Sequence, residues 1–168
     1  METSRLLANA RATEERLQLA LDAGRMGAWE FNVGTGKVSW SATLEQIHGI
    51  PVGSFGGTFA DYQSDIHPED KPRVLATIAQ TSKGKGEHHL VYRIVRPDGA
   101  VRWLDATGQL FCDAFGNPLR MLGVCSDVTE RVEAEEQRRQ RRQHPRLEQP
   151  VGRQWRVHGA QERHPGGR

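Results

Sequence analysis

From Glu87 to Val128 the apolar residues recur with a period of two, and this stretch constrains the fold more than any other. "EHHLVYRIVR" (87–96) places Leu90, Tyr92 and Ile94 on one face of a strand. "VRWLDATGQLF" (101–111) aligns Val101, Trp103 and Phe111 on one face, and "LRMLGVCSDV" (119–128) supplies a third strand. Between them lie "PDGA" (97–100), where Gly99 supplies a positive φ, and "DAFGNP" (113–118). Strands joined by turns this short pair as antiparallel neighbours, because a parallel pair needs a crossover of a dozen residues or more.

The earlier half reads differently. Residues 1–25 form an N-terminal amphipathic segment whose helix is predicted over 13–24. Thr13 caps it, Glu14 and Glu15 suit its N-terminal dipole, and Leu17, Ala20, Leu21 and Gly24 share a face. "AWEFNV" (28–33) and "VSWS" (38–41) read as two short strands around the turn "GTGK". "ATLEQIHGI" and "TFADYQSDI" read as short helices. After the His67-Pro68 turn comes a longer helix with Val74, Leu75 and Ile78 facing inward. Two short strands, a run of short helices and three long antiparallel strands make an α+β order.

The chain has 168 residues and a mean hydropathy of -0.66, which suits one ordinary domain with spare length. No apolar run approaches the roughly 20 residues of a membrane span, and the N-terminus lacks a signal-peptide core. The expected location is the cytoplasm. The net charge of +2 hides a division: residues 1–136 hold 14 basic and 19 acidic residues, whereas residues 137–168 hold 9 arginines and 2 glutamates. The acidic body and the basic tail therefore need separate readings.

The pieces "GAWEFNVGTGKVSWS", "IHPEDKPRV", "YRIVRPDGAVRWL" and "DAFGNPLRMLGVCSDVTER" together resemble the PAS family of sensor domains, over about residues 13–136. The resemblance implies a five-stranded antiparallel sheet with short helices over one face. An N-terminal helix and a C-terminal exit helix would flank a core at 26–129. It also implies a sensory or dimerising module of signal transduction, of the kind joined to histidine kinases or diguanylate cyclases. A homodimer through the leading helix is expected on the same ground.

Asp127 and Thr129 occupy the family's Asp-x-Thr motif at the end of the last strand. Either side chain can accept backbone N–H groups of the helix that follows. Val132 in the fourth position rules out a capping box, while Glu130 adds an acid to the first turn. The expected roles are relay for Asp127 and Thr129, with Trp103 supporting the sheet.

The sequence holds no catalytic constellation. "GTGK" is a hairpin turn rather than a phosphate loop entering a helix. His88 and His89 are adjacent on a strand, so they point to opposite faces and cannot share a metal. His67 precedes a proline at a turn, which argues against its ligating haem. The Asn-Cys-Arg-Phe-Leu-Gln motif of flavin-binding light sensors is absent. The ligand therefore stays unassigned, with flavin and haem both disfavoured. Cys112 is predicted to pair near Leu119 and Cys125 near Ala106, roughly 20 Å apart at about 3.4 Å per residue, so no disulfide joins them. Trp29, Trp40 and Trp103 read as sheet aromatics; one of them could instead line a cavity, which the helices of residues 42–82 would border.

An exit helix is predicted over 130–143, and residues 144–168 read as a disordered basic tail broken by Pro145 and Pro150. The tail lacks Lys, Ile and Phe and is rich in Arg, Gln, His, Pro and Gly, a mixture that GC-rich codons give when read out of frame. A truncated sensor-kinase front with a frameshifted end accounts for it. The rival reading is a nucleic-acid-binding protein acting through Arg138–Arg142.

Overall fold

The computed structural model describes residues 2–84 and 86–143. The predicted tail, 144–168, lies outside the described residues. In chain order the elements are α1 (Glu2–Ala23), β1 (Met26–Asn32), β2 (Val38–Trp40), α2 (Ala42–His48), α3 (Phe59–Gln63), α4 (Lys71–Ser82), β3 (Glu87–Val95), β4 (Val101–Cys112), β5 (Pro118–Asp127) and α5 (Thr129–Gln143). The strands form one antiparallel sheet in the order β2-β1-β5-β4-β3. The α+β reading holds.

The short helices have local causes. Ser41 caps α2 by accepting the Leu44 N–H, and Gly49, at φ 73°, ends it in the left-handed conformation. Thr58 and Asp61 form a reciprocal capping box on α3. Pro72 sits in the first turn of α4, where a missing N–H costs nothing. These helices cover the inner face of the sheet. Leu44, Ile47, Val74 and Ile78 pack there against Leu90, Tyr92, Ile94, Leu104 and Ala106.

One expectation is corrected. Thr13 does not cap a helix: α1 begins at Glu2, and the Thr13 hydroxyl donates to the Asn9 carbonyl within it. The residues before Thr13 are mostly good helix formers, so the helix runs through it. The amphipathic face of α1 is not buried in its own domain; the helix has no buried residue. Val101, Trp103 and Phe111 share a face of β4 as expected, and it is the outer one. The inner face carries Leu104, Ala106, Gly108 and Leu110.

The free edge of β3 is partly closed. The Arg93 carbonyl accepts the His67 N–H at 2.9 Å, and the Val95 N–H donates to the Asp65 carbonyl at 2.7 Å. Asp70 Oδ2 accepts the Arg93 N–H at 2.8 Å, and Arg73 donates to the Val91 carbonyl at 2.8 Å.

Candidate functional site

Two places draw together the residues that carry chemistry: the joint between β5 and α5, and the space between the sheet and the short helices.

At the joint the chain leaves β5 at Asp127 and enters α5 at Thr129. Asp127 Oδ1 accepts the Thr129 N–H at 3.0 Å and the Thr129 hydroxyl at 2.6 Å. Asp127 Oδ2 accepts Arg102 Nε at 2.8 Å, with an Arg96 nitrogen at 3.7 Å. Thr129, 3% exposed, turns its oxygen the other way and accepts the Trp103 N–H of β4 at 2.9 Å. The Val128 N–H returns a bond to the Trp103 carbonyl at 2.8 Å. Of the two expected caps, then, Asp127 serves the helix start, whereas Thr129 ties that start to β4. The structure brings Asp127, Thr129 and Trp103 together. Trp103 joins through its backbone, while its indole lies on the outer face with the Arg93 guanidinium 5.4 Å from the ring centre.

The electrostatics favour a charged Asp127. Burial works against its ionised form, but the bonds from Thr129 and Arg102 outweigh this and hold the carboxyl below its ordinary value. One turn along α5, Arg131 meets Asp105 of β4 at 3.3 Å, and Asp105 also binds His89 Nε2 of β3 at 2.6 Å. The outgoing helix is thus held to β4, whose Asp105 is in turn bonded to β3.

The space under the short helices is a cavity of about 40 Å³. At about 10–15 Å³ per water it has room for roughly three water molecules. Trp29 forms part of its wall. Its indole lies against Gly108 and Gly123, where any Cβ would come within 2.6 Å or less of the ring. It also stacks on His88 at 5.9 Å between ring centres. Trp40 stacks on Phe55, at 3.7 Å between ring centres, and meets the tilted His48 ring at 4.2 Å. Of the tryptophans among the described residues, Trp29 and Trp40 line the cavity and Trp103 does not. The helices of residues 42–82 border it through Leu44, His48, Phe59, Tyr62 and Ile78.

The polar rim was mostly missed in the sequence. His48 is buried and its Nδ1 contacts Asp65 Oδ2 at 2.5 Å. The signal was present: Leu44, Ile47 and His48 fall at i, i+3 and i+4, which puts a polar residue on an apolar stripe. Glu45 accepts the N–H groups of Gly53 and Phe55 and shapes the loop after α2. His88 faces inward at 8% exposure, whereas the His89 side chain faces outward at 63%. Burial, helped by the neighbouring His89, lowers the His88 pKa and keeps the ring neutral. His88 Nδ1 has no hydrogen-bond partner among the described residues.

The remaining candidates are quiet. His67 does not line the cavity; its Nδ1 accepts the Glu69 N–H in the turn before α4. Cys125 sits opposite Ala106 as predicted, and burial pushes its thiol up to about 12. Cys112 lies opposite Pro118, one residue from the predicted Leu119, because a bulge between Phe111 and Cys112 shifts the register. No group of three or more metal-ligating side chains is present among the described residues, and none of their helices is long and apolar enough to cross a membrane.

Comparison with known proteins agrees with this geometry. The family pattern for the PAS fold matches residues 37–125. The chain is 24% identical to the sensor protein FixL of Bradyrhizobium diazoefficiens over 132 residues, which is 79% of this chain and 26% of that protein. It is 27% identical to the probable diguanylate cyclase DgcE of Escherichia coli over 116 residues, 69% of this chain and 10% of that one. The chain thus spans about a quarter or less of these curated relatives. The crystal structure of a sensory box histidine kinase/response regulator from Burkholderia thailandensis superposes with a TM-score of 0.67 at 30% identity, covering 78% of this chain and 98% of that one. The five-stranded sheet, the covering helices, the Asp-x-Thr joint and the family match converge: this chain belongs to the PAS family, as a sensory domain related to those of histidine kinases and diguanylate cyclases.

Proposed function

We propose that this domain is the front of a cytoplasmic sensor histidine kinase of a two-component system, passing its state outward through α5. The observation that carries this reading is the joint. Thr129 and Asp127 couple the first residue of the outgoing helix to β4 and to two arginines, so a displacement of the sheet is felt at the helix start. The histidine kinase/response regulator from Burkholderia thailandensis supports the effector class. The test lies in the DNA. Beyond the codon for Glu136, a second reading frame should encode a phosphoacceptor-histidine helix; if every frame lacks one and offers no other effector, the kinase reading falls.

The same reading makes α1 the dimer seam. The helix has no buried residue, and Leu6, Leu7 and Leu17, on one side of it, are each more than half exposed, an arrangement that a second copy would cover. Leu17→Glu should convert a dimer into a folded monomer in sedimentation equilibrium, with an unchanged circular dichroism spectrum. A dimer that survives the substitution would place the seam elsewhere.

A further inference from the structure

On the outer face of the sheet, three elements meet at one carboxylate. Asp105 of β4 places Oδ1 2.6 Å from His89 Nε2 of β3 and accepts an Arg131 N–H of α5 at Oδ2, at 3.3 Å. The Asp105 side chain is half-buried, whereas the His89 and Arg131 side chains are both exposed, so solvent protons reach the imidazole freely. Arg131 stands two residues past Thr129, in the first turn of α5. A change in its hold on Asp105 therefore acts at the start of the outgoing helix.

The surroundings of His89 leave the response to these three groups. On β3, Glu87 and Arg93 share its face at alternate positions, and Arg93 is held by Glu69 and Asp70 from the turn before α4. His88 lies on the opposite face, where burial keeps it neutral. On β4, the uncharged Thr107 lies directly opposite and Asp105 diagonally. From α5, Arg131 reaches the same carboxylate. The other histidines of the body are differently placed: His48 is sealed against Asp65, and His67 accepts an N–H in its own turn. The Asp127 carboxyl, held below its ordinary value, is fully ionised well before a histidine changes charge.

We propose that His89 is a proton-operated lock on α5: protonation of its ring draws Asp105 into an ion pair with β3 and loosens the hold of that carboxylate on Arg131. Histidine is the side chain that ordinarily changes charge between about pH 5 and 8. A neutral ring donates its Nε2–H to Asp105 and leaves the carboxylate's charge to Arg131. A protonated ring sets a second cation on the same carboxylate, and the two cations repel each other across it. The coupling is reciprocal: Asp105 favours the charged ring, and Arg131 opposes it. The proton comes from water and returns to it, so no further reactant takes part. Any consequence for an effector rests on the relay reading above; the coupling of His89 to the first turn of α5 does not.

The test follows the His89 ring and the backbone amides of the full chain by NMR between about pH 5 and 8. In the parent, the amides of Glu130, Arg131 and Val132 should move with the same midpoint as the His89 ring. His89→Gln retains a donor for Asp105 without the change of charge, and it should abolish that movement. Asp105→Asn should lower the midpoint of the ring and Arg131→Gln should raise it, each by about 0.2–0.7 pH unit, the range that exposed pairs give. Both displacements should shrink in high salt. A contact that merely braces the sheet would leave the ring's midpoint indifferent to Arg131. First-turn amides that titrate unchanged in His89→Gln, or a ring midpoint that ignores Arg131→Gln, would overturn the proposal. If the first-turn amides follow the ring while those from Glu135 onward stay still, the lock stands and the relay reading fails.

Discussion

Gly123→Ala should destabilise the domain by about 3 kcal/mol, at the top of the usual range for overpacking. A Cβ at this position would lie 2.2 Å from the Thr107 carbonyl and 2.3 Å from the Trp29 ring. The carbonyl belongs to β4, Thr107 pairs with Val124, and it cannot retreat without opening the β4–β5 ladder. Gly108→Ala is the informative contrast. Its Cβ would meet only side chains, His88 at 2.5 Å and Trp29 at 2.6 Å. Trimming Trp29 to Ala should therefore offset much of the Gly108→Ala penalty but little of the Gly123→Ala penalty. Urea unfolding of the single and double variants measures both couplings. A Gly123→Ala protein as stable as its parent would mean that the indole does not rest on the sheet there.

Asp127→Ala should lower stability by about 2 kcal/mol, the scale of losing hydrogen bonds to a largely buried charged acceptor. It strands the Thr129 N–H and leaves Arg102 without its carboxylate. Hydrogen exchange should locate the loss: the first-turn amides of α5 should open first, while core amides such as those of Leu104 keep most of their protection. Uniform loss of protection would argue against a joint that acts locally. The same carboxylate makes a signed pH prediction. Its folded pKa lies below the unfolded value of about 4. Its contribution is therefore complete above about pH 4 and is lost as the pH falls through the lower folded value. Asp70 behaves alike: its bonds to the Arg93 side chain lower its pKa most, with burial opposing them. The parent should lose stability on acidification below about pH 4, and Asp127→Ala should lose correspondingly less over that interval.

How far the sequence could be read depended on what each signal measures. The hairpin lengths placed Cys125 opposite Ala106, because register near the centre of a hairpin follows from counting. The same count placed Cys112 near Leu119, and the bulge beside it, which nothing in the letters marks, sets the exact partner as Pro118. The inner face of β4 was obscured for a different reason. Gly108 lacks a side chain where Trp29, nearly eighty residues earlier, occupies the space above it, and the letters of the strand alone do not reveal that partner. The start of α1 escaped because a helix with no buried residue carries no packing pattern, leaving only the cap signal at Thr13, and that hydroxyl bonds back to Asn9 instead. At the joint, the motif located Asp127 and Thr129, but the turn of Thr129 toward Trp103 depends on a strand that sequence does not place beside it. His48 and Asp65 lie 17 residues apart and meet only when α2 and the segment before α4 close over the sheet.

Alternate residues of a border strand send their amide groups outward, and on β3 those of Arg93 and Val95 are already taken by the segment from Asp65 to Asp70. What remains for an intruding polypeptide is the run from Glu87 to Val91, where Arg73 already holds the Val91 carbonyl and the exposed His89 ring lies alongside. Growth of fibrils by lateral recruitment at this margin is thereby discouraged by the fold itself, and removing the Asp70 carboxylate would be the simplest way to expose the chain to it.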